Sequence, residues 1–390
     1  MNKFKIAIGM IWAVSVSIML GCVEKFEADI DDVPAEGLVV EGNIISDSVV
    51  VFQLSKMLPL TKTEENEHLF EDFQNVDAMV SVLGSDGTSW LGEPEGNGRY
   101  LVDIGTLQKD VKYHLEIEYN GDRYYSASQT PLATSVIGSV TFNQQDQDGR
   151  VTVSLNTLVE PKSEKKFYMW FFEEDWEIRS EYVTEHLYDP ELDKIVAYDY
   201  PPVAQGWCHT STDKIMLGSI ESNEEERVVS KVFRNISNSD NRLSVLYCIR
   251  IQQRDLSPAE YQYHQERAKY NSEMGGLFTP QPSELPTNIS CSNPSRKIIG
   301  YVGCNMGVSC NHLFISNEEV DYEDRFDCKI GKEPDGPDLD KYNAGFQISH
   351  YEVIGGILEI NWARRECVDV RTKMADPQGR PSWWPNPYLY

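Results

Sequence analysis

This 390-residue sequence predicts a mostly β fold: an N-terminal immunoglobulin-like β-sandwich at residues 35–130, then a larger β-rich domain at 131–390 with one or two short helices. Three observations lead there. Short segments of alternating polarity recur along the chain, as half-buried strands require. Turn residues separate them at short intervals, and a single stretch carries strong helix start and stop signals.

Taken in order, the chain opens with Lys3 and Lys5, an apolar run from Ile6 to Leu20, then Gly21 and Cys22. That is the pattern of a secretory signal, assigned to residues 1–21. The run is shorter than the roughly 20 apolar residues of a membrane span, and the polar sequence after it has no stop-transfer character. Cleavage before a cysteine is similar to bacterial lipoprotein signals, which implies a diacylglycerol thioether on Cys22, although Met19 and Leu20 depart from the usual residues there. Residues 22–34 then read as an acidic, solvated tether. Such a tether loosely resembles the export signals of surface-displayed lipoproteins.

Charge narrows the partners. The formal net charge of −27 becomes −29 once Lys3 and Lys5 are lost, which opposes attraction to nucleic acid or to an anionic bilayer. The lipid is therefore the expected membrane contact, with two or three acyl chains meeting the need for more than one anchor.

In the first domain, strands are expected at 37–45, 48–54, 78–83, 99–104, 112–119 and 123–128. Alternation is clearest where Tyr113, Leu115, Ile117 and Tyr119 share a face. Asn120-Gly121 is a two-residue hairpin signal. A long polar insertion lies between Met57 and Asn75.

In the second domain, residues 131–139 read as linker, and strands are expected from Val151, from Lys166 through Trp170 toward Trp176, at 297–303 and at 312–316. Ser257-Pro258-Ala259-Glu260 is a capping box, so a helix should run from Pro258 to about Ser272 and stop at Gly275-Gly276. Seven cysteines follow Cys22, namely Cys208, Cys248, Cys291, Cys304, Cys310, Cys328 and Cys367. Export permits disulfides, the odd count leaves a thiol over, and the pairing is open.

Candidate chemistry is sparse. Glu173, Glu174, Asp175 and Glu177 invite a glycosidase reading, but in so acidic a chain they read better as a solvated strand end. Asp146-x-Asp148-Gly149 and Asp335 to Asp340 have only partial calcium-loop spacing. No metal site, catalytic residue or cofactor is assigned, apart from the lipid on Cys22. With 42 aromatic residues among 390, a ligand surface for a glycan or a peptide remains open, and Trp207, Trp383, Trp384 and Tyr388 are its candidates.

Several blocks carry a family resemblance: Leu38 to Ile44; Leu256 to Tyr261 with Gly275 to Phe278 and Asn288-Ile289; Ile299 to Gly303; and Cys367 to Arg371 with Gly379, Pro381, Trp383 and Trp384. They look like a family of Bacteroidetes outer-membrane lipoproteins, the domain-of-unknown-function family 4249. Val370 stands where that family commonly has the second cysteine of a Cys-x-x-Cys pair, so Cys367 pairs elsewhere or stays free. The resemblance implies no established activity. It implies a surface-exposed outer-membrane protein, accessory to a TonB-dependent receptor or capturing ligand for it. The alternatives are an adhesive or structural lipoprotein binding through the first domain, and a surface enzyme acting on glycan or peptide.

Overall fold

The structure is a computed structural model that describes residues 37–57, 73–145, 149–158, 165–197, 203–212, 216–221, 228–273, 285–324, 328 and 337–385. The signal segment, Cys22, the tether, most of the 57–75 insertion, Asp146, Asp148, Asp335, Gly275, Gly276 and Tyr388 lie outside the described residues.

The strands of the first half are β1 (Gly37–Ile45), β2 (Ser48–Lys56), β3 (Met79–Gly84), β4 (Ser89–Leu91), β5 (Glu93–Gly96), β6 (Arg99–Ile104), β7 (Tyr113–Tyr119), β8 (Asp122–Ser126), β9 (Ile137–Gln144), β10 (Val151–Leu158) and β11 (Lys166–Arg179). There follow β12 (His186–Asp189), β13 (Lys194–Ala197), β14 (Gln205–Ser211), β15 (Met216–Ile220), β16 (Val228–Ile236), β17 (Leu246–Leu256), α1 (Pro258–Glu273), β18 (Ile289–Cys291), β19 (Lys297–Asn305), β20 (Ser309–Ser316), α2 (Asp338–Asn343), β21 (Phe346–Ile354) and β22 (Ile357–Arg364). The fold is mostly β, as the alternation predicts. Among the described residues no helix is long and apolar enough to cross a membrane.

Two five-stranded sheets, β19-β1-β2-β6-β5 and β18-β8-β7-β3-β4, form the first sandwich. Leu38, Val40 and Phe52 of one sheet meet Val82, Leu115 and Ile117 of the other in a shared core. The turn between β7 and β8 puts Asn120 at φ 50° and Gly121 at φ 81°, the left-handed pair that a two-residue hairpin needs. The division at residue 131 needs a correction. β19 runs parallel to β1 in register from Gly37 with Lys297 to Ile45 with Asn305, and β18 pairs with β8. Val302, Cys304 and Ile289 belong to the first core. The sandwich is thus closed by chain arriving from more than 150 residues beyond its first eight strands. No local turn announces a parallel partner so distant.

The second sandwich sets β14-β11-β17-β20, with β15 also on β11, against β16-β10-β9. Tyr168, Trp170, Ile249 and Ile251 face Val151, Val153, Phe233 and Ile236 across its core. The expected linker is shorter than predicted, since β9 already begins at Ile137. Beyond it, the β12–β13 and β21–β22 hairpins pack with α2 around Tyr188, Ile348 and Trp362. Asp338 and Asp340 fall in the first turn of α2. Cys367 pairs with Cys328, so the cysteine that lacks a Cys-x-x-Cys mate is bridged across 39 residues. Cys208, Cys248, Cys291, Cys304 and Cys310 are free thiols.

α1 starts where the capping signal places it: the Glu260 backbone N–H donates to Ser257 Oγ at 3.1 Å. The reciprocal half of the box is replaced. The Glu260 carboxylate turns inward and accepts from Arg254 Nη1 at 2.6 Å.

Candidate functional site

β11 is the central strand of the second sandwich, and its period of two divides its side chains between two environments. Tyr168, Trp170, Glu174 and Trp176 face the core side, while Met169, Phe171, Glu173, Asp175 and Glu177 face outward. The outward row is flanked in register by Trp207, His209 and Ser211 of β14 and by Leu246, Cys248 and Arg250 of β17.

The four carboxylates at 173–177 are not a solvated strand end. Glu174, Asp175 and Glu177 are buried, at 1%, 3% and 4% exposure, and only Glu173 is partly open. A buried carboxylate must be paired and hydrogen-bonded, and each of these is. Glu177 accepts from Arg179 at 2.6 Å, Gln205 at 2.8 Å and the Trp384 indole at 3.3 Å. Asp175 Oδ1 lies 2.7 Å from His209 Nδ1, and its other oxygen lies 3.4 Å from Arg250, which also donates to Glu173 at 2.6 Å. On the core side Glu174 accepts from Arg234 at 3.1 Å and from the Tyr247 hydroxyl at 2.7 Å. Burial first, and then the Glu174 charge, push the Tyr247 phenol well up, so it donates as a neutral hydroxyl.

The C-terminal segment folds back onto this outer face. Trp207 exchanges backbone hydrogen bonds with Asp376 at 3.0 and 2.9 Å. Trp207 and Trp384 are buried in one cluster with Cys248, against Phe314. Burial raises the Cys248 thiol to about 12, with Asp175 adding to the effect, so it is a neutral packing group. Trp383 is different: it is 40% exposed, and the Arg250 guanidinium lies 4.3 Å from its ring centroid. Three of the four aromatic candidates are therefore brought to one place, but two are structural and only Trp383 offers a ring to solvent. Exposed His312, next to Phe314, borders it.

A shallow pocket of about 230 Å³ extends this face along β11, lined by Glu173, Arg250, Ser211 and Phe171. A larger cavity of about 620 Å³ opens at the end of the same sheet. Trp176, Cys208, Thr210, Arg242 and Lys373 line it. Arg242 lies 4.6 Å from the Trp176 ring, and burial lowers the Lys373 amine and raises the Cys208 thiol. Among the described residues no group of three His, Cys, Asp or Glu side chains converges on a point that could hold a metal.

Sequence reasoning missed Arg250, Arg242 and Arg234, the cations that bury the carboxylates. Their signal is present but weak: on β17, Arg250 interrupts the otherwise uncharged run from Leu246 to Ile251.

A family model described as a domain of unknown function (DUF4249) matches residues 23–306. No curated protein matches the chain. Among solved structures, a DUF4785 family protein from Legionella pneumophila is 11% identical, with a TM-score of 0.18, over 55% of this chain and 52% of that one. The chain thus matches about half the length of that protein.

Proposed function

The chain belongs to the DUF4249 family, and from that premise we propose that it is an outer-membrane lipoprotein of Bacteroidetes type, anchored through Cys22, that captures ligand as a non-enzymatic accessory of a TonB-dependent receptor. The address rests on the signal pattern of residues 1–21 and on the acidic tether that follows. The receptor partnership rests on the family resemblance alone.

One observation carries the capture role. Every carboxylate of the acidic run on β11 is tied to a cation or an amide, beside the solvent-facing Trp383 ring. A glycosidase needs one carboxyl left to protonate the leaving group and a second to act as base or nucleophile. Here each of the four is held in place by its partners. The same arrangement suits recognition: an exposed indole offers a face for a sugar ring or a peptide side chain, and Arg250 over the ring with Glu173 beside it offers polar contacts.

The test is recovery of partners from detergent-solubilised outer membranes with the tagged full chain. A receptor barrel should co-purify with the wild type and be depleted for Cys22→Ser, which should also lose labelling by a palmitate analogue. Failure to recover any barrel removes the accessory role, and label persisting on Cys22→Ser removes the anchor. Glycan cleavage abolished by a single carboxylate substitution would establish the enzyme alternative instead.

A further inference from the structure

A third pocket lies between the two sandwiches, at the Met169–Phe171 end of the outer face. Its volume is about 220 Å³, and its walls come from β1, β11, β17, α1 and β19. The buried stripe of α1 forms one side. Glu260, Tyr263, His264 and Arg267 follow the i, i+3, i+4, i+7 spacing of an inward helix face. Such a stripe is ordinarily aliphatic, but here it is charged and aromatic.

The polar atoms around this pocket are incompletely used. The Arg254 side chain is 4% exposed. Its Nη1 is surrounded by Glu260 Oε1 at 2.6 Å, Asn43 Oδ1 at 2.8 Å and Asn305 Oδ1 at 3.2 Å. Among the described residues its Nη2 has only the Met169 thioether at 3.7 Å, a weak acceptor for a charged donor. His264 is 9% exposed, and its Nδ1 has no hydrogen-bond partner among the described residues. The other ring nitrogen, Nε2, lies 3.8 Å from the Glu260 carboxylate, too long for a hydrogen bond but near enough for that charge to favour the proton on Nε2, which leaves Nδ1 as an acceptor. Burial lowers the His264 pKa, in keeping with a neutral ring. A strong donor with a weak partner and an acceptor without one are thus both buried at one small pocket, an arrangement that is costly unless a ligand completes it.

Charge decides what would satisfy them. Arg254 is already neutralised by Glu260, and Arg267 at the pocket wall is paired with Glu41. A ligand of net charge would add an unbalanced charge beside the buried Arg254–Glu260 pair, which is unfavourable. A molecule that carries both an anion and an ammonium adds none. The remaining walls, Val40, Met169, Phe171, Tyr263 and Tyr301, are apolar or aromatic. The volume is below the 300–1,000 Å³ of sites for drug-sized ligands, on a scale that fits a single amino acid.

We propose that this pocket binds a free α-amino acid with an apolar side chain, its carboxylate on Arg254 Nη2, its ammonium toward His264 Nδ1 and its side chain against Phe171 and the tyrosine rings. This site adjoins the pocket that extends the Trp383 face, sharing Phe171 with it, and is independent of the receptor reading.

Isothermal titration of the full chain with leucine, phenylalanine and glycine tests it, alongside 4-methylpentanoate and isoamylamine, which keep the leucine side chain but one charge each. Leucine or phenylalanine should bind at least tenfold more tightly than the matched acid and amine. His264→Gln should weaken binding tenfold or more. Because His264 is buried and that variant could unfold, Phe171→Ala at the 41% exposed wall is the second probe; it should weaken phenylalanine more than glycine. Absence of saturation by every amino acid up to 10 mM overturns the proposal, leaving a hydrated pocket. Equal binding of 4-methylpentanoate overturns it in favour of a simple anion site. Neither result bears on recovery of a receptor barrel, so the two readings fail separately.

Discussion

At the scale of single residues, Gly303 shows how tightly the inter-sandwich network is built. A Cβ at this position would lie 2.5 Å from Glu260 Oε1, 2.8 Å from Arg254 Nη1 and 2.8 Å from Asn43 Oδ1. All three are partners in the buried ion pair, and none is a loose side-chain end. Gly303→Ala should therefore destabilise the chain by about 3 kcal/mol, near the cost of breaking a buried pair. A urea midpoint within error of wild type would show that the network can yield. The same network fixes the response to acid. The folded His264 resists protonation because it is buried, so the unfolded chain binds more protons as pH falls below the ordinary histidine value of 6.5. For Glu260, burial acts to raise the carboxyl, but Arg254 and His264 hold it below its ordinary 4.5. Both groups bind protons more readily in the unfolded state. Stability should fall as pH drops below about 6.5 and fall more steeply below about 4.5, and His264→Gln should flatten the upper limb. Urea midpoints at pH 7.5, 5.5 and 4.0 check the sign; a midpoint that rose on acidification would refute it.

At the scale of elements, the returning C-terminal segment separates packing from recognition. Trp384 is 5% exposed and donates to Glu177, whereas Trp383 is 40% exposed and touches mainly Arg250 and Phe314. Trp384→Ala should cost about 3–5 kcal/mol, the usual range for a buried aromatic. Trp383→Ala should cost no more than about 1 kcal/mol, the scale of an exposed cation–π contact, while reducing ligand binding. A urea denaturation pair reads this directly, and a large loss for Trp383→Ala would make that ring structural too. Neighbouring tryptophans in one sequence motif cannot be told apart before the sheet beneath them is known. The strands themselves were legible, because alternation and turn chemistry are local: β1 and β6 begin and end where the pattern places them. The start of α1 was legible for the same reason. The carboxylates on β11 were not, because most of their partners arrive from other strands: Arg234 and Arg250 lie 60 and 77 residues from Glu174 and Glu173, and His209 lies 34 from Asp175. Nor was the polar stripe of α1, since an apolar periodicity search passes over Glu260 and His264.

At the scale of the whole molecule, the first sandwich depends on chain that follows the second. Without β19, the β1 edge loses nine registered partners, and without β18 the β8 edge is bare. The core loses Val302, Cys304 and Ile289 together. At about 25 cal/mol per Å² of apolar area, three buried side chains are worth several kcal/mol, comparable to the net stability of a small domain. A fragment limited to residues 35–130, the unit that strand periodicity alone delimits, should therefore fail to unfold cooperatively in urea and should expose an aggregation-prone edge. Joining residues 285–306 to its C-terminus through a flexible linker should restore a single sigmoidal transition, because those residues supply both missing strands. A cooperative transition in the short fragment would mean that β18 and β19 only decorate a self-sufficient fold. Recovery with the added segment would instead show that these two strands complete the first sandwich, and with it the wall of the inter-sandwich pocket that β1 and Tyr301 of β19 supply.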